Sequence, residues 1–153
     1  MLPDDPEILT NIFYKDGSLR DVYIFDTDEY EWRKFLNLLK TIPFICEFMV
    51  NGIESNHIHF DIQDILKLSD EKNVLFIINL DGVKIHCHFF CIEEIELDIN
   101  PKEINNYRAM NLVFEFMKTI SNKLNKEVII TPENMPTYPL LTIYPNGDYQ
   151  IAT

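Results

Sequence analysis

The clearest pattern along the chain is the pair of apolar runs on either side of Asp81-Gly82. Asp-Gly between two apolar runs marks a two-residue hairpin, because the tight turn needs positive φ at both central positions. That turn sets a register in which Leu80 faces Val83, Ile78 faces Ile85, Phe76 faces Cys87 and Val74 faces Phe89. Strand side chains alternate with period two, so all eight share one face, a core face. Leu75, Ile77 and Asn79, with Lys84, His86, His88 and Phe90, make a mixed second face that should be half covered. A third run, Ile95 to Ile99, also alternates. Its apolar side joins the core if Cys91-Ile92-Glu93-Glu94 form a loop, which sets His88 across from Glu96 and His86 across from Asp98. A carboxylate beside an imidazole favours the protonated ring, so both histidines should titrate above a free one.

The remaining pattern fills in an α+β fold. Ile8–Tyr14 and Leu19–Phe25, around Lys15-Asp16-Gly17-Ser18, read as a first hairpin. A helix follows at about 27–41, capped by Thr27 or Asp26, with Trp32, Phe35, Leu36 and Leu39 as its apolar stripe and Pro43 as its stop. Phe44–Val50 is a strand with an Asn51-Gly52 turn. Its return limb, Ile53–Phe60, alternates poorly and reads as an edge strand or extended loop. Asp61 caps a short helix at about 61–68. The longest helix, at about 106–124, carries a stripe of Met110, Val113, Met117, Ile120 and Leu124, widened by Leu112, Phe114 and Phe116. Val128–Thr131 is a short strand, residues 132–139 are a proline-rich connection, and Leu140–Tyr144 pairs with Tyr149–Ala152 in a last hairpin. The expected architecture is a mainly antiparallel sheet of hairpins with two main helices and one short one, in a single domain spanning 1–153.

Composition narrows the function classes. The chain of 153 residues is 46% hydrophobic, enough for a core without disulfides or metal. No apolar run reaches the ~18 residues that span a bilayer, and the acidic residues at the start do not read as a signal peptide. Cys46, Cys87 and Cys91 form no CxxC pair and read as reduced thiols, so a cytoplasmic setting is expected. The net charge of −12 is uneven. Residues 1–31 hold nine acids, Asp26 and Asp28 among them, against Lys15 and Arg20, a net of −7. Residues 93–103 hold Glu93, Glu94, Glu96, Asp98 and Glu103 against Lys102, a net of −4. Such a surface argues against nucleic acid or anionic membrane as partner and suits a basic protein.

The chemistry-bearing residues allow a second reading. All four histidines fall in two His-x-His pairs, His57/His59 and His86/His88. Spacing of two on a strand puts both rings on one face, so two such pairs would build a tetrahedral metal site if their strands were adjacent. No glycine-rich phosphate loop and no G-x-S-x-G elbow occur, and no catalytic set or cofactor is called for.

At His88-Phe89-Phe90, Glu94-Ile95-Glu96-Leu97-Asp98-Ile99 and Thr131-Pro132-Glu133-Asn134 the chain resembles a group of small acidic bacterial proteins without an established activity. That likeness implies no catalytic residues. By analogy of size and charge, it suggests immunity proteins that neutralise a toxin domain. The favoured expectation is a non-enzymatic binding protein using Asp26, Asp28, Glu93, Glu94, Glu96 and Asp98 on a basic partner. The alternatives are a metal-dependent enzyme built on the four histidines, and a structural homodimer joined through the wide apolar arc of the long helix.

Overall fold

The computed structural model describes residues 1–41, 45–55 and 61–152. Its elements, in chain order, are α1 (Pro6–Ile12), β1 (Arg20–Phe25), α2 (Glu29–Thr41), β2 (Ile45–Val50), β3 (Ile53–Glu54), α3 (Ile62–Ser69), β4 (Val74–Leu80), β5 (Val83–His88), β6 (Glu94–Ile99), a 3-10 turn (Pro101–Glu103), α4 (Tyr107–Leu124), β7 (Val128–Pro132), β8 (Leu141–Ile143) and β9 (Tyr149–Ile151). The strands form one antiparallel sheet in the order β3-β2-β4-β5-β6-β1-β7-β8-β9. The fold is α+β.

The meander β4–β5–β6 has the expected register, with Ile78 opposite Ile85, His88 opposite Glu96 and His86 opposite Asp98. Asp81 and Gly82 both take positive φ, +51° and +101°, as the turn requires. All eight residues of the expected core face are buried, as are Ile95, Leu97 and Ile99. They merge with buried residues of all four helices into one cluster, in which Trp32 and Phe76 both pack on Phe89 at 5.6 Å. The helices therefore cover one face of the sheet and leave the other open.

The first expected hairpin is not formed. Its first limb is α1, because Ile8, Leu9, Ile12 and Phe13 repeat at helical spacing and turn one side to the core. Asp5 caps it, accepting from the Glu7 N–H at 2.9 Å, and Pro6 fits the first turn. β1 is thereby freed from its neighbour in sequence and runs through the middle of the sheet, between β6 and β7. Arg20, at the start of β1, is fully buried on the helix side. Its guanidinium donates to the carbonyls of Ile12 (2.7 Å), Leu19 (2.9 Å) and Tyr14 and to Ser18 Oγ, and lies 3.6 Å from the centre of the Tyr14 ring. One side chain thus ties α1 and the loop after it to the sheet.

The stripe of α2 is buried as expected, but its cap differs. Asp28 Oδ1 accepts from the Glu31 N–H at 2.9 Å, whereas Asp26 takes a left-handed φ of +56° and Thr27 turns its hydroxyl to Ile92. Pro43 and Phe44 lie outside the described residues, as does the segment 56–60 that follows β3. α4 packs against α2, β7 and β8, and most of its wide arc, Phe114 and Phe116 included, is buried inside the chain. Leu112 of that arc stays half-buried at the surface. Among the described residues no helix is long and apolar enough to cross a membrane.

Candidate functional site

The open face of the sheet is built from the residues that alternate with the core positions. Where β5, β6 and β1 run side by side, their registers stack three cross-strand rows. His86, Asp98 and Asp21 make the first, and His88, Glu96 and Tyr23 the second. Beyond the end of β5, Glu94 and Phe25 make the third, a pair of β6 and β1 alone, while Phe90 follows β5 and stacks on His88. Each strand contributes one column, so a column of acids on β6 runs between two columns that end in aromatic rings.

Asp98 is the buried centre of this face. Its Oδ1 lies 2.9 Å from His86 Nδ1 and its Oδ2 2.5 Å from His88 Nε2. An ionised carboxylate can only accept, so each of those ring nitrogens carries the hydrogen. Burial pushes the Asp98 carboxyl up, but the two histidine hydrogen bonds and charges outweigh it and hold it at about 2. The same bond raises His86 above its ordinary value, against a smaller opposing effect of burial. The expected pattern was one acid per histidine. Instead His88 reaches diagonally past Glu96 to Asp98, a distance that long side chains on neighbouring strands span. Glu96 is drawn the other way, to the hydroxyl of Tyr23.

That hydroxyl also donates to Asp21 Oδ2 at 3.2 Å, and the N–H of Asn134 donates to the same oxygen at 2.7 Å. The loop after β7 is thus pinned across the end of β1. Burial raises the Asp21 carboxyl, with help from the nearby charges of Asp98 and Glu133, while the bonds from Asn134 and Tyr23 act against it. Burial raises Glu96 as well, Tyr23 and His88 opposing, and it pushes the Tyr23 phenol up strongly.

The two acidic clusters meet. The Thr27 N–H donates to the Glu93 carbonyl at 3.0 Å and its hydroxyl to the Ile92 carbonyl at 2.8 Å, which binds the end of β1 to the loop before β6. Trp32 Nε1 donates to the same Ile92 carbonyl at 3.0 Å. Asp26, Asp28 and Glu93 are exposed there, Asp28 also capping α2, and half-buried Glu94 and Glu96 carry the acid on towards Asp98. Five of the six residues singled out thus form one strip at the surface. Asp98 lies at its inner end with its oxygens occupied. Asp21, Tyr23, Phe25 and Phe90 belong to the same face and were not singled out. For Phe25 the available signal was its place two residues from Tyr23 and four from Asp21, the period of one strand face.

The histidine metal site divides. His57 and His59 lie outside the described residues. His86 and His88 turn one nitrogen each to Asp98, and among the described residues no group of three or more His, Cys, Asp or Glu is arranged to hold a metal ion. All three cysteines are free, and burial raises each thiol, Cys87 most. None therefore has the lowered pKa of a catalytic thiolate.

Comparison with protein-family models, with curated proteins and with solved structures finds no match for this chain.

Proposed function

We propose that this chain is a non-enzymatic binding protein of the immunity-inhibitor kind, acting in the cytoplasm and docking its acidic face on a basic protein. The observation that carries the reading is the junction of the two acidic clusters at Thr27, Ile92 and Glu93. Sixty-odd residues apart in sequence, Asp26 and Asp28 join Glu93, Glu94 and Glu96 as one predominantly acidic patch, the nearby Lys126 being paired with Glu31. Such a patch speeds encounter with a basic surface and discriminates against other acidic surfaces. It repels phosphate, which sets nucleic acid aside as the partner. Exposed Phe25 and Phe90 flank it and supply the apolar contact that charge alone lacks.

The test is capture from the native host with two baits, the natural chain and one carrying Asp26→Lys, Asp28→Lys, Glu93→Lys and Glu94→Lys. A basic protein held by the first bait, released as salt rises and absent from the second is the expected result. Equal capture by both baits would sink the reading.

A further inference from the structure

The open face of the sheet also has an apolar part, which deepens that reading, and the inference rests on it. The strand registers carry two rows of this face from β6 back to β2. Met49, Leu75, His88 and Glu96 make one, and Glu47, Ile77, His86 and Asp98 the other. Met49, Leu75 and Ile77 are only half-buried, whereas Val74, Phe76 and Ile78, which alternate with the last two along β4, are buried under the helices. Acids border this apolar centre on both sides. Glu47 and Glu54, the latter opposite Met49, lie on one, and Glu94 and Glu96 of β6 lie on the other. Among the described residues Glu47, Glu54 and Glu94 make no ion pair.

An apolar centre between two acidic borders is complementary to an apolar stripe between two basic ones. β6 is the middle strand of nine, about 19 Å from either edge of the sheet, so a partner strand added at an edge cannot reach it. A second sheet needs apolar residues across many strands, and here β5 and β6 present imidazoles and carboxylates instead. A helix meets both conditions. β2 and β6 are about 14 Å apart, and a helix with its side chains is about 10–12 Å across. Lying along β4 and β5, it rests its apolar stripe on Met49, Leu75 and Ile77, and its lysine or arginine stems reach the carboxylates on either side. The chain's own helices cover the other face, so a helix here makes a third layer. We infer that the strip from β2 to β6 on the open face is the seat of a basic amphipathic helix of the partner protein.

The probe is a leucine–lysine peptide of about four helical turns, with leucines at i, i+3, i+4 and i+7, titrated into the full chain and followed by amide NMR spectra. These spectra also report whether each variant is folded. A control peptide of the same composition alternates leucine and lysine, the pattern of a strand. The helical peptide is expected to shift Leu75, Ile77, His86 and His88 first. It should bind about tenfold more tightly than the alternating one, whose leucines cannot line one side of a helix. Its affinity should fall about tenfold in Leu75→Thr or Ile77→Thr, which suit a strand but lose one buried aliphatic contact. It should fall about twofold in Glu54→Gln or Glu94→Gln, a loss that disappears at high salt. Leu112→Thr, which changes a half-buried leucine of α4 in the helical layer, should leave it unchanged. Absent or equal binding by the two peptides, or equal losses in Ile77→Thr and Leu112→Thr, would overturn the inference. If the seat fails in this way while the charge-reversed bait still loses a basic protein, the binding reading stands and only the helix seat falls.

Discussion

Replacing Asp98 by Asn keeps the shape of the side chain and removes the charge that both histidines hold. The Asp98 carboxyl sits at about 2 in the folded chain against an ordinary 3.8, with its side chain only 10% exposed. Each factor of ten in proton affinity corresponds to about 1.4 kcal/mol, so the native contacts favour the ionised form by about 2 kcal/mol. Because the folded value is depressed, that stability is present above 3.8 and is lost as pH falls through about 2. His86 has the opposite sign. Its folded value is raised, so its contribution is complete below 6.5 and is lost as pH rises through the folded value. The two shifts describe one interaction from its two ends and are not added. The stability gap between the natural chain and Asp98→Asn should therefore be widest, on the order of 2 kcal/mol, between pH 3.8 and 6.5, and should narrow on both sides. Urea unfolding of both chains from about pH 3 to about pH 9 measures it. Titration of the histidine rings by NMR gives a second readout, in which the His86 midpoint falls in Asp98→Asn. Lys84, Glu103, Asp21 and Glu96 surround the pair and are present in both chains, so their effects largely cancel in the difference. A gap that does not vary with pH, or an unmoved His86 midpoint, would refute the reasoning.

Two further changes probe the scaffold. Arg20→Met should destabilise the chain by about 2–4 kcal/mol in urea unfolding, because buried carbonyls lose a charged donor; faster protease cleavage between Ile12 and Arg20 would show that α1 and its loop have come loose, and Arg20→Lys, lacking the fork, should recover only part of the loss. A thiol-specific disulfide reagent should modify Cys46 and Cys91 in the native chain but reach Cys87 only on unfolding, since that thiol is fully buried; modification of Cys87 at the rate of the other two would contradict the packing of β5.

What could be read from the sequence was what depends on neighbours along the chain. The Asp81-Gly82 turn and period-two alternation are local, and they were enough to place His86 opposite Asp98 and His88 opposite Glu96. The stripe of α2 and the extent of α4 were legible for the same reason. At α1 the local signal was present but misread: Ile8, Leu9, Ile12 and Phe13 have helical spacing, and Asp16-Gly17 beside them resembled a hairpin turn. Tertiary structure alone decided that β1 lies next to β6 rather than beside the segment before it, because that pairing joins residues about seventy positions apart and depends on how the whole apolar surface is buried. The meeting of the two acidic clusters follows from that one pairing, whereas the sharing of Asp98 by two histidines follows from the pairing of β5 with β6. Composition determined that the chain would carry excess acid; only the burial of Val22 and Ile24 against the helices, which turns Asp21, Tyr23 and Phe25 to the other face, determined where that acid would gather.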